Sequence, residues 1–221
     1  MARRRRTPVW VAAGMLAAGL AAAAPAATVL ATRYELRAVS GPAMAPTLEP
    51  GGVVLTERAS AADVRRGDLL LLDVPVDPAG TPTGLQVKRL IGTGGDSLGC
   101  CGANGLRRNG ERIDEPYARG TARTFSVHVR PHRLFVLGDN RDDSIDSQIP
   151  DSFGDVADGT IADSTVRGRV VWASDSTVDA PGAGSVRTLV RVTGAGTTLT
   201  LLGLLALPVT LLATRRRRLA P

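Results

Sequence analysis

The chain has 221 residues, a length that allows one domain of moderate size with a real hydrophobic core, and a formal net charge of +6. The positive charge is concentrated at the ends, because Arg3 to Arg6 and Arg215 to Arg218 supply eight charges and leave −2 for the remainder. Aromatic residues make up only 3%, so there is little to stack on nucleic-acid bases. These features argue against a nucleic-acid partner.

Two uncharged, apolar runs lie beside the arginine clusters, from Thr7 to Thr32 and from Val192 to Thr214. Both exceed the ~20 residues that a helix needs to cross a hydrocarbon core. Arginine clusters stay on the cytoplasmic side, so both ends are predicted to be cytoplasmic and the segment between the runs to lie outside. Each run also has an alternative interpretation. The first run could be a cleaved signal peptide. The second run could be a sorting tail, because Leu207 to Thr210 resembles a wall-anchoring motif.

Between these runs, short apolar stretches alternate with turn residues, which is typical of a mainly β, antiparallel and partly closed domain. Asn109-Gly110 is a good hairpin turn between two short strands. Segments rich in Pro, Gly and Asp predict a loop over Asp77 to Gly84 and a linker from Ser174 to Ser185. The predicted strands are Tyr34 to Val39, Val53 to Thr56, Leu69 to Val74, Leu85 to Ile91, Phe125 to Val129, Leu134 to Leu137 and Thr165 to Trp172.

The predicted organisation is therefore a β domain between two transmembrane helices in the plasma membrane. In chain order, it comprises a basic cytoplasmic tail (1–7), a transmembrane helix (8–31), an extracytoplasmic β domain (33–174), a linker (175–191), a transmembrane helix (192–214) and a basic cytoplasmic tail (215–221).

Lys88 is the only lysine in the chain, against 26 arginines. A desolvated lysine can lose its proton and then act as a base, whereas arginine stays protonated in proteins. Val87, Leu90 and Ile91 would supply apolar walls, and burial among them would lower the lysine pKa by several units from about 10.4. The alternative is an arginine-biased composition that spared one lysine by chance.

The two cysteines, Cys100 and Cys101, are adjacent. Outside the membrane they could form a strained vicinal disulfide or pair between chains. Two neighbouring thiols with only His128 and His132 elsewhere make a poor zinc site. We assign no metal.

Four motifs follow the first apolar run in order. They are Val39 to Leu48 (VSGPAMAPTL), Arg66 to Leu71 (RGDLLL), Val87 to Asp96 (VKRLIGTGGD) and Leu137 to Ser147 (LGDNRDDSIDS). With the upstream anchor and Glu115-Pro116-Tyr117 before the last motif, the region from Val39 to Val171 resembles type I signal peptidases. These are membrane-bound serine proteases that cut signal peptides off exported proteins. The resemblance implies a signal peptidase-type β fold and no cofactor. It also implies secretory preproteins as partners, with small residues one and three positions before the cut.

The resemblance also assigns roles at the site. In that family a serine attacks the scissile carbonyl and an unprotonated lysine is the general base. Lys88 stands at the lysine position, but Ala43 stands at the serine position, and a methyl group has no oxygen to attack with. The Ala43 N–H would remain as an oxyanion donor, and Ser144 would orient the lysine. The residues implied in substrate binding or support are Gly41, Met44, Pro46, Asp139, Asn140, Arg141 and Asp146.

Other positions depart from the family pattern as well. Gly52 replaces an aspartate, Gly94 a proline and Gln148 an arginine, which predicts weaker support of the site because glutamine cannot form a charge-assisted bidentate pair. Ser40 and Thr47 are poor substitutes for the missing nucleophile, since a misplacement of one ångström can cost about a hundredfold in rate.

Two interpretations of the chain as a whole remain. In the first, it is a signal peptidase that lacks its nucleophile and is inactive as its sequence stands. In the second, it is a silent paralogue that binds signal peptides or an active signal peptidase. A self-cleaving repressor with serine–lysine chemistry is rejected, because this chain has membrane spans where such a protein should carry a DNA-binding module.

Overall fold

The structure, a computed structural model, describes residues 7–74, 84–101, 105–150, 158–174 and 183–216. The chain divides into two compact units, one made of both terminal segments and the other of Tyr34–Pro181. Most of the arginines in the terminal clusters, most of the predicted loop and the first half of the predicted linker lie outside the described residues.

The first unit consists of two long helices, α1 (Thr7–Arg33) and α2 (Ala183–Arg216). Both contain segments long and apolar enough to cross a membrane, Val9–Arg33 and Val186–Leu207. Helix α2 begins inside the segment predicted as a linker, because the helix continues through Arg187 and Arg191 ahead of the uncharged run.

Small residues allow the two helices to pack closely. A Cβ added at Gly19 would lie 2.6 Å from the Thr200 nitrogen and 2.7 Å from the Gly196 oxygen. A Cβ added at Gly203 would lie 2.8 Å from the Leu16 nitrogen. Glycine at these positions removes the side chains that would hold the two backbones apart, as in many membrane helix pairs.

The second unit is built from two antiparallel sheets. The larger sheet has the strand order β1-β2-β11-β3-β4-β9-β10, and the smaller has the order β7-β6-β5-β8. The strands are β1 (Tyr34–Ala38), β2 (Val53–Arg58), β3 (Leu69–Val74), β4 (Gly84–Thr93), β5 (Ser97–Cys100), β6 (Arg107–Arg108), β7 (Glu111–Arg112), β8 (Phe125–His128), β9 (Arg133–Leu137), β10 (Ile161–Ala162) and β11 (Val166–Ala173).

The mainly β, antiparallel fold is confirmed, and all seven predicted strands are present with small differences at their ends. The predicted hairpin is present as well, with positive φ angles of 54° at Asn109 and 86° at Gly110, as a tight turn of this kind requires. The sequence analysis missed β5 and β10, because each is short and carries little alternation of apolar and polar residues.

The two cysteines are joined to each other as a vicinal disulfide at the end of β5. Cys100 is buried in an apolar cluster with residues such as Leu98 and Phe135. The structure therefore has the first of the two pairings considered for these cysteines.

Strand β4 is central to the larger sheet, and its two halves have different neighbours. It pairs with β3 from Gly84 to Arg89 and with β9 only from Arg89 onward. Among the described residues, no strand pairs with the other edge of β4 between Gly84 and Lys88. This half of β4 therefore offers an open edge that ends at the lysine.

Candidate active site

The Lys88 side chain is buried, with 3% of its surface exposed, and has one close polar partner among the residues that the structure describes. It lies opposite Leu70 of β3, and its Nζ donates a hydrogen bond to Ser144 Oγ at 2.8 Å. Burial lowers the pKa of Lys88 from 10.5 to about 8, and the nearby Asp146 carboxylate acts in the opposite direction. An appreciable fraction of this lysine is therefore neutral near physiological pH and able to accept a proton.

Asp146 stands behind Ser144 and is fully buried. Its two oxygens accept hydrogen bonds from the Gly138 N–H at 2.8 Å and the Gln148 N–H at 3.1 Å. Burial raises the pKa of Asp146, although these hydrogen bonds, the Ser144 hydroxyl and the Lys88 charge oppose the rise. Lys88, Ser144 and Asp146 thus form one buried polar chain, as expected of groups that hold a base in place.

Gly138 brings this polar chain close to the turn that contains Ala43. A Cβ at this position would collide with the Ser144 side chain and with the Ala43 carbonyl oxygen. Glycine is therefore needed here for close approach rather than for an unusual backbone angle. The sequence analysis recorded Gly138 within a motif but gave it no role, because nothing in the sequence reveals which groups will crowd it.

The turn that contains Ala43 is a short 3₁₀ helix, Pro42–Met44. The Asn140 N–H donates to the Ala43 carbonyl at 3.1 Å, and its side-chain amide donates to the Pro42 carbonyl at 3.2 Å. Met44 is buried in an apolar cluster with residues such as Leu48. The first N–H groups of such a helix have no intrahelical acceptor, so the Ala43 N–H is suited to binding an oxyanion.

A second buried network surrounds Asp139. This carboxylate accepts hydrogen bonds from Arg89 Nε at 2.8 Å, Arg89 Nη2 at 2.6 Å and Thr47 Oγ1 at 2.5 Å. The Arg89 guanidinium also lies over the Tyr117 ring, 3.8 Å from its centre. Because the Thr47 hydroxyl is bound to Asp139, it is a poor replacement for the missing nucleophile.

Arg141 and Gln148 brace the loop from the other side. Arg141 makes a bidentate pair with Glu115 at 2.5 and 3.2 Å and donates from Nε to the Gly138 carbonyl at 2.9 Å. Buried Gln148 donates to the Arg141 carbonyl at 3.1 Å and accepts from the Arg123 N–H at 2.8 Å. An arginine side chain has no acceptor for that N–H. Gln148 therefore supports the loop through two neutral hydrogen bonds rather than through an ion pair.

The two glycines that depart from the family pattern lie in tight backbone arrangements. Gly52 accepts a hydrogen bond from the Val39 N–H at 2.8 Å and donates to the Glu49 carbonyl at 3.1 Å. At Gly94 an added Cβ would lie 3.1 Å from the Arg130 carbonyl oxygen. Both turns are thus closed by backbone contacts.

An open cleft of about 370 Å³ brings the base and the Ala43 position together. Lys88 and Ala43 both line it, and Val54 and Leu71 contribute apolar surface. Gly41 also lines the cleft, with room for a Cβ and an ordinary φ of −133°. Pro46 is exposed and is not among the lining residues. The remaining lining residues are Arg37, Ala38, Val39, Ser40, Met44, Leu85, Gln86, Val87 and Ile145.

The chain is similar to known signal peptidases over most of its length. A family model described as "Signal peptidase, peptidase S26" matches residues 9–174. Signal peptidase I U of Bacillus subtilis (strain 168) is 31% identical over 134 residues, which cover 55% of this chain and 68% of that protein. Signal peptidase I of Bacillus caldolyticus is 31% identical over 128 residues, which cover 50% of this chain and 66% of that protein.

A plant protein and a crystal structure are similar as well. Mitochondrial ATP-independent inner membrane protease subunit 1b of Arabidopsis thaliana is 32% identical over 135 residues, which cover 60% of this chain and 64% of that protein. A crystal structure of a signal peptidase I from Enterococcus faecalis V583 is 23% identical, with a TM-score of 0.38, and the match covers 48% of this chain and 96% of that chain. The chain spans about two thirds of the length of the curated relatives described here.

The family model covers well over half of the chain, and the matched region contains the β domain with its cleft. Substrates of this family are preproteins that carry signal peptides. The chain therefore belongs to the signal peptidase family, peptidase S26.

Proposed function

We propose that this protein is a membrane-bound signal peptidase of the serine–lysine type whose site, as the sequence stands, lacks only the nucleophilic oxygen. It binds the signal peptides of secretory preproteins without cutting them. The observation that carries this proposal is the buried Lys88, which is hydrogen-bonded to Ser144 at 2.8 Å and lines the same cleft as Ala43.

The chemistry requires a hydroxyl at position 43. With serine there, neutral Lys88 would take the hydroxyl proton while the oxygen attacks the carbonyl carbon of the scissile bond. The position 43 N–H would donate to the oxyanion that forms. The protonated lysine would then give its proton to the leaving amine, and water would hydrolyse the acyl-enzyme with Lys88 again as the base. With Ala43, the first of these steps cannot occur.

Substrate binding would use the open edge of β4. An extended peptide placed along Gly84 to Lys88 would add a strand to the sheet and run toward the base. The apolar lining from Val54, Leu71 and Val87 suits small apolar side chains one and three positions before the cut.

Two membrane spans would anchor the β domain on the outer side of the plasma membrane. In this proposal residues 8–31 and 192–214 cross the bilayer, the basic tails 1–7 and 215–221 are cytoplasmic, and residues 33–174 are extracytoplasmic. Cysteine labelling in intact cells tests the topology. After mild reduction, the half-buried Cys101 should react with a membrane-impermeant reagent, and protection of Cys101 until lysis would contradict the topology.

The central experiment restores the missing oxygen. The Ala43→Ser chain should cut a preprotein with alanine one and three positions before the cut, whereas the parent chain should not. Loss of a serine nucleophile costs about 10⁶-fold in turnover, so the parent's rate should be at background. Cleavage by the parent chain that disappears with Lys88→Ala would show that another hydroxyl serves. A folded Ala43→Ser chain that binds the preprotein but remains inactive would instead favour a silent paralogue.

A further inference from the structure

Ile145 is a large apolar side chain that remains exposed in the cleft. Its relative exposure is 54%, and it lines the cleft together with Lys88 and Ala43. The residues on either side of it, Ser144 and Asp146, are buried in the polar chain that holds the lysine. Single exposed apolar residues are normal on protein surfaces. The position of Ile145 beside the reacting groups, rather than its exposure alone, therefore indicates a contact with bound substrate.

The loop that carries Ile145 is held in place on both sides of this residue. Before it, Ser144 Oγ accepts a hydrogen bond from Lys88 Nζ at 2.8 Å. After it, the Ser147 N–H donates to the Val136 carbonyl of β9 at 3.1 Å, and Ser147 Oγ accepts from the Val136 N–H at 3.0 Å. The fold therefore fixes the backbone of Ile145 close to the base and leaves its side chain uncovered.

The pairing of β4 determines where a bound peptide must leave the sheet. β9 occupies the edge of β4 from Arg89 onward, with Arg89 opposite Leu137. A peptide added along Gly84 to Lys88 can therefore extend the sheet only as far as Lys88, because the hydrogen-bonding groups beyond it are already used by β9. The peptide chain then has to bend away, and the loop that follows Leu137 and contains Ile145 lies at this point.

We propose that Ile145 contacts the first residue after the cut and favours a large apolar side chain there. The proposal rests on the proposed function, because it assumes a preprotein that runs along β4 toward Lys88 and is cut beside position 43. The first residue after the cut is then the one that leaves the sheet next to the loop. An apolar side chain there covers the exposed surface of Ile145, whereas serine leaves that surface in water.

The test measures binding, since the parent chain does not cut. Two fluorescent peptides span the cut, carry alanine one and three positions before it, and differ only in leucine or serine at the first position after it. Each is titrated with the full chain in detergent micelles. Burial of about 40 Å² of apolar surface corresponds to roughly fivefold tighter binding, which is the preference expected for leucine. A third peptide, with serine at the first position after the cut and leucine at the third, should bind like the serine peptide.

Three variants identify the source of the preference. Ile145→Ser should reduce the ratio of the two dissociation constants toward one, whereas Ile145→Leu should keep the preference. The serine peptide should bind all chains alike, which shows that Ser144 and Asp146 remain in place. Leu36→Ser is the matched control, because it removes a large apolar side chain, 64% exposed, from a position of β1 that is not among the lining residues. Partition of the leucine peptide into micelles is the same for every chain and cancels from the comparison.

The outcomes separate this proposal from the proposed function. Equal binding of the leucine and serine peptides to the parent chain would overturn the contact with Ile145. A leucine preference that survives Ile145→Ser would overturn it as well, and so would equally tight binding of the peptide whose leucine stands at the third position after the cut. Failure of every peptide to bind would instead contradict the proposed function itself.

Discussion

The base side and the nucleophile side of the cleft are equally well held in place but differ in what they can do chemically. On the base side, Lys88 is buried and hydrogen-bonded to Ser144, with Asp146 behind it. On the nucleophile side, Asn140 holds the turn at Ala43 through two hydrogen bonds, yet the side chain there is a methyl group. The comparison shows that the scaffold of a catalytic site and its reacting atom are separable, because Asn140 binds the backbone and not the side chain.

Within the base side, two consecutive residues of β4 show how the fold controls charge. Arg89 is paired with the fully buried Asp139 through two hydrogen bonds. Lys88 has no ion pair at hydrogen-bonding distance among the described residues, and burial lowers its pKa to about 8. The two neighbouring cations thus have different roles. Arginine keeps its proton and forms a structural ion pair, whereas the lysine is desolvated without a carboxylate in direct contact and can act as a base.

The largest expected effect comes from removing the base. In the Ala43→Ser background, Lys88→Met should lower cleavage by about 10⁴-fold or more, because the serine would have no group to take its proton. Lys88→Arg should fail equally, although it keeps the positive charge, since a guanidinium cannot be deprotonated. Single-turnover cleavage of a preprotein measures both. Activity in either variant would show that Lys88 is not the base.

Gly138→Ala should disturb both sides of the cleft together. Its Cβ would collide with the Ser144 side chain and the Ala43 carbonyl, so we expect about 1–3 kcal/mol less stability and about a hundredfold slower cleavage in the Ala43→Ser background. Thermal unfolding and the cleavage rate are the measurements. Gly99→Ala is the matched control, because its Cβ would meet only the Phe125 carbonyl oxygen at 3.8 Å. Normal cleavage by Gly138→Ala would mean that the loop can move without loss of function.

Much of the fold could be predicted from the sequence, because the larger strands have the apolar patterns typical of buried sheet. Leu69–Val74 was predicted with the same bounds that the structure gives. β10, with two residues, is too short to show a period. The start of α2 was missed because Arg187 and Arg191 interrupt the apolar pattern, although charge does not prevent a helix.

The candidate site, like the fold, could be predicted only in part from the sequence. The motifs identified Lys88 and Ser144, and the structure brings the two into contact. The sequence could not show that Gln148 makes two neutral hydrogen bonds where a lost ion pair was expected, since its partners Arg141 and Arg123 depend on how the loop folds.

A smaller effect is expected from Ser144→Ala in the Ala43→Ser background. The variant removes the hydrogen bond that holds Lys88 Nζ, but it leaves the lysine buried, so we expect kcat to fall about 10- to 100-fold with KM nearly unchanged. Steady-state kinetics on a signal-peptide substrate separates the two constants. Ser126→Ala, at an exposed position of β8, should change neither. A rise in KM without a fall in kcat would mean that Ser144 binds substrate instead of positioning the base.

The smallest effect is a displacement of the pH profile, and it tests how Asp146 acts on the base. Lys88 must be neutral to accept the serine proton, so cleavage by the Ala43→Ser chain should rise with pH and reach half of its maximum near the Lys88 pKa of about 8. The Asp146 carboxylate favours the protonated lysine and raises that pKa against the effect of burial. Asp146→Asn removes the negative charge, and the rise should therefore move to lower pH.

The control for this prediction is Asp143→Asn, which removes a carboxylate from an exposed position of the same loop and should leave the profile in place. Thermal unfolding checks that Asp146→Asn keeps its fold, because asparagine retains only one of the two oxygens that accept from Gly138 and Gln148. A profile that does not move in the folded variant would mean that Asp146 is already protonated in the site. Burial raises the pKa of Asp146, so that result would show desolvation outweighing the attraction of Lys88.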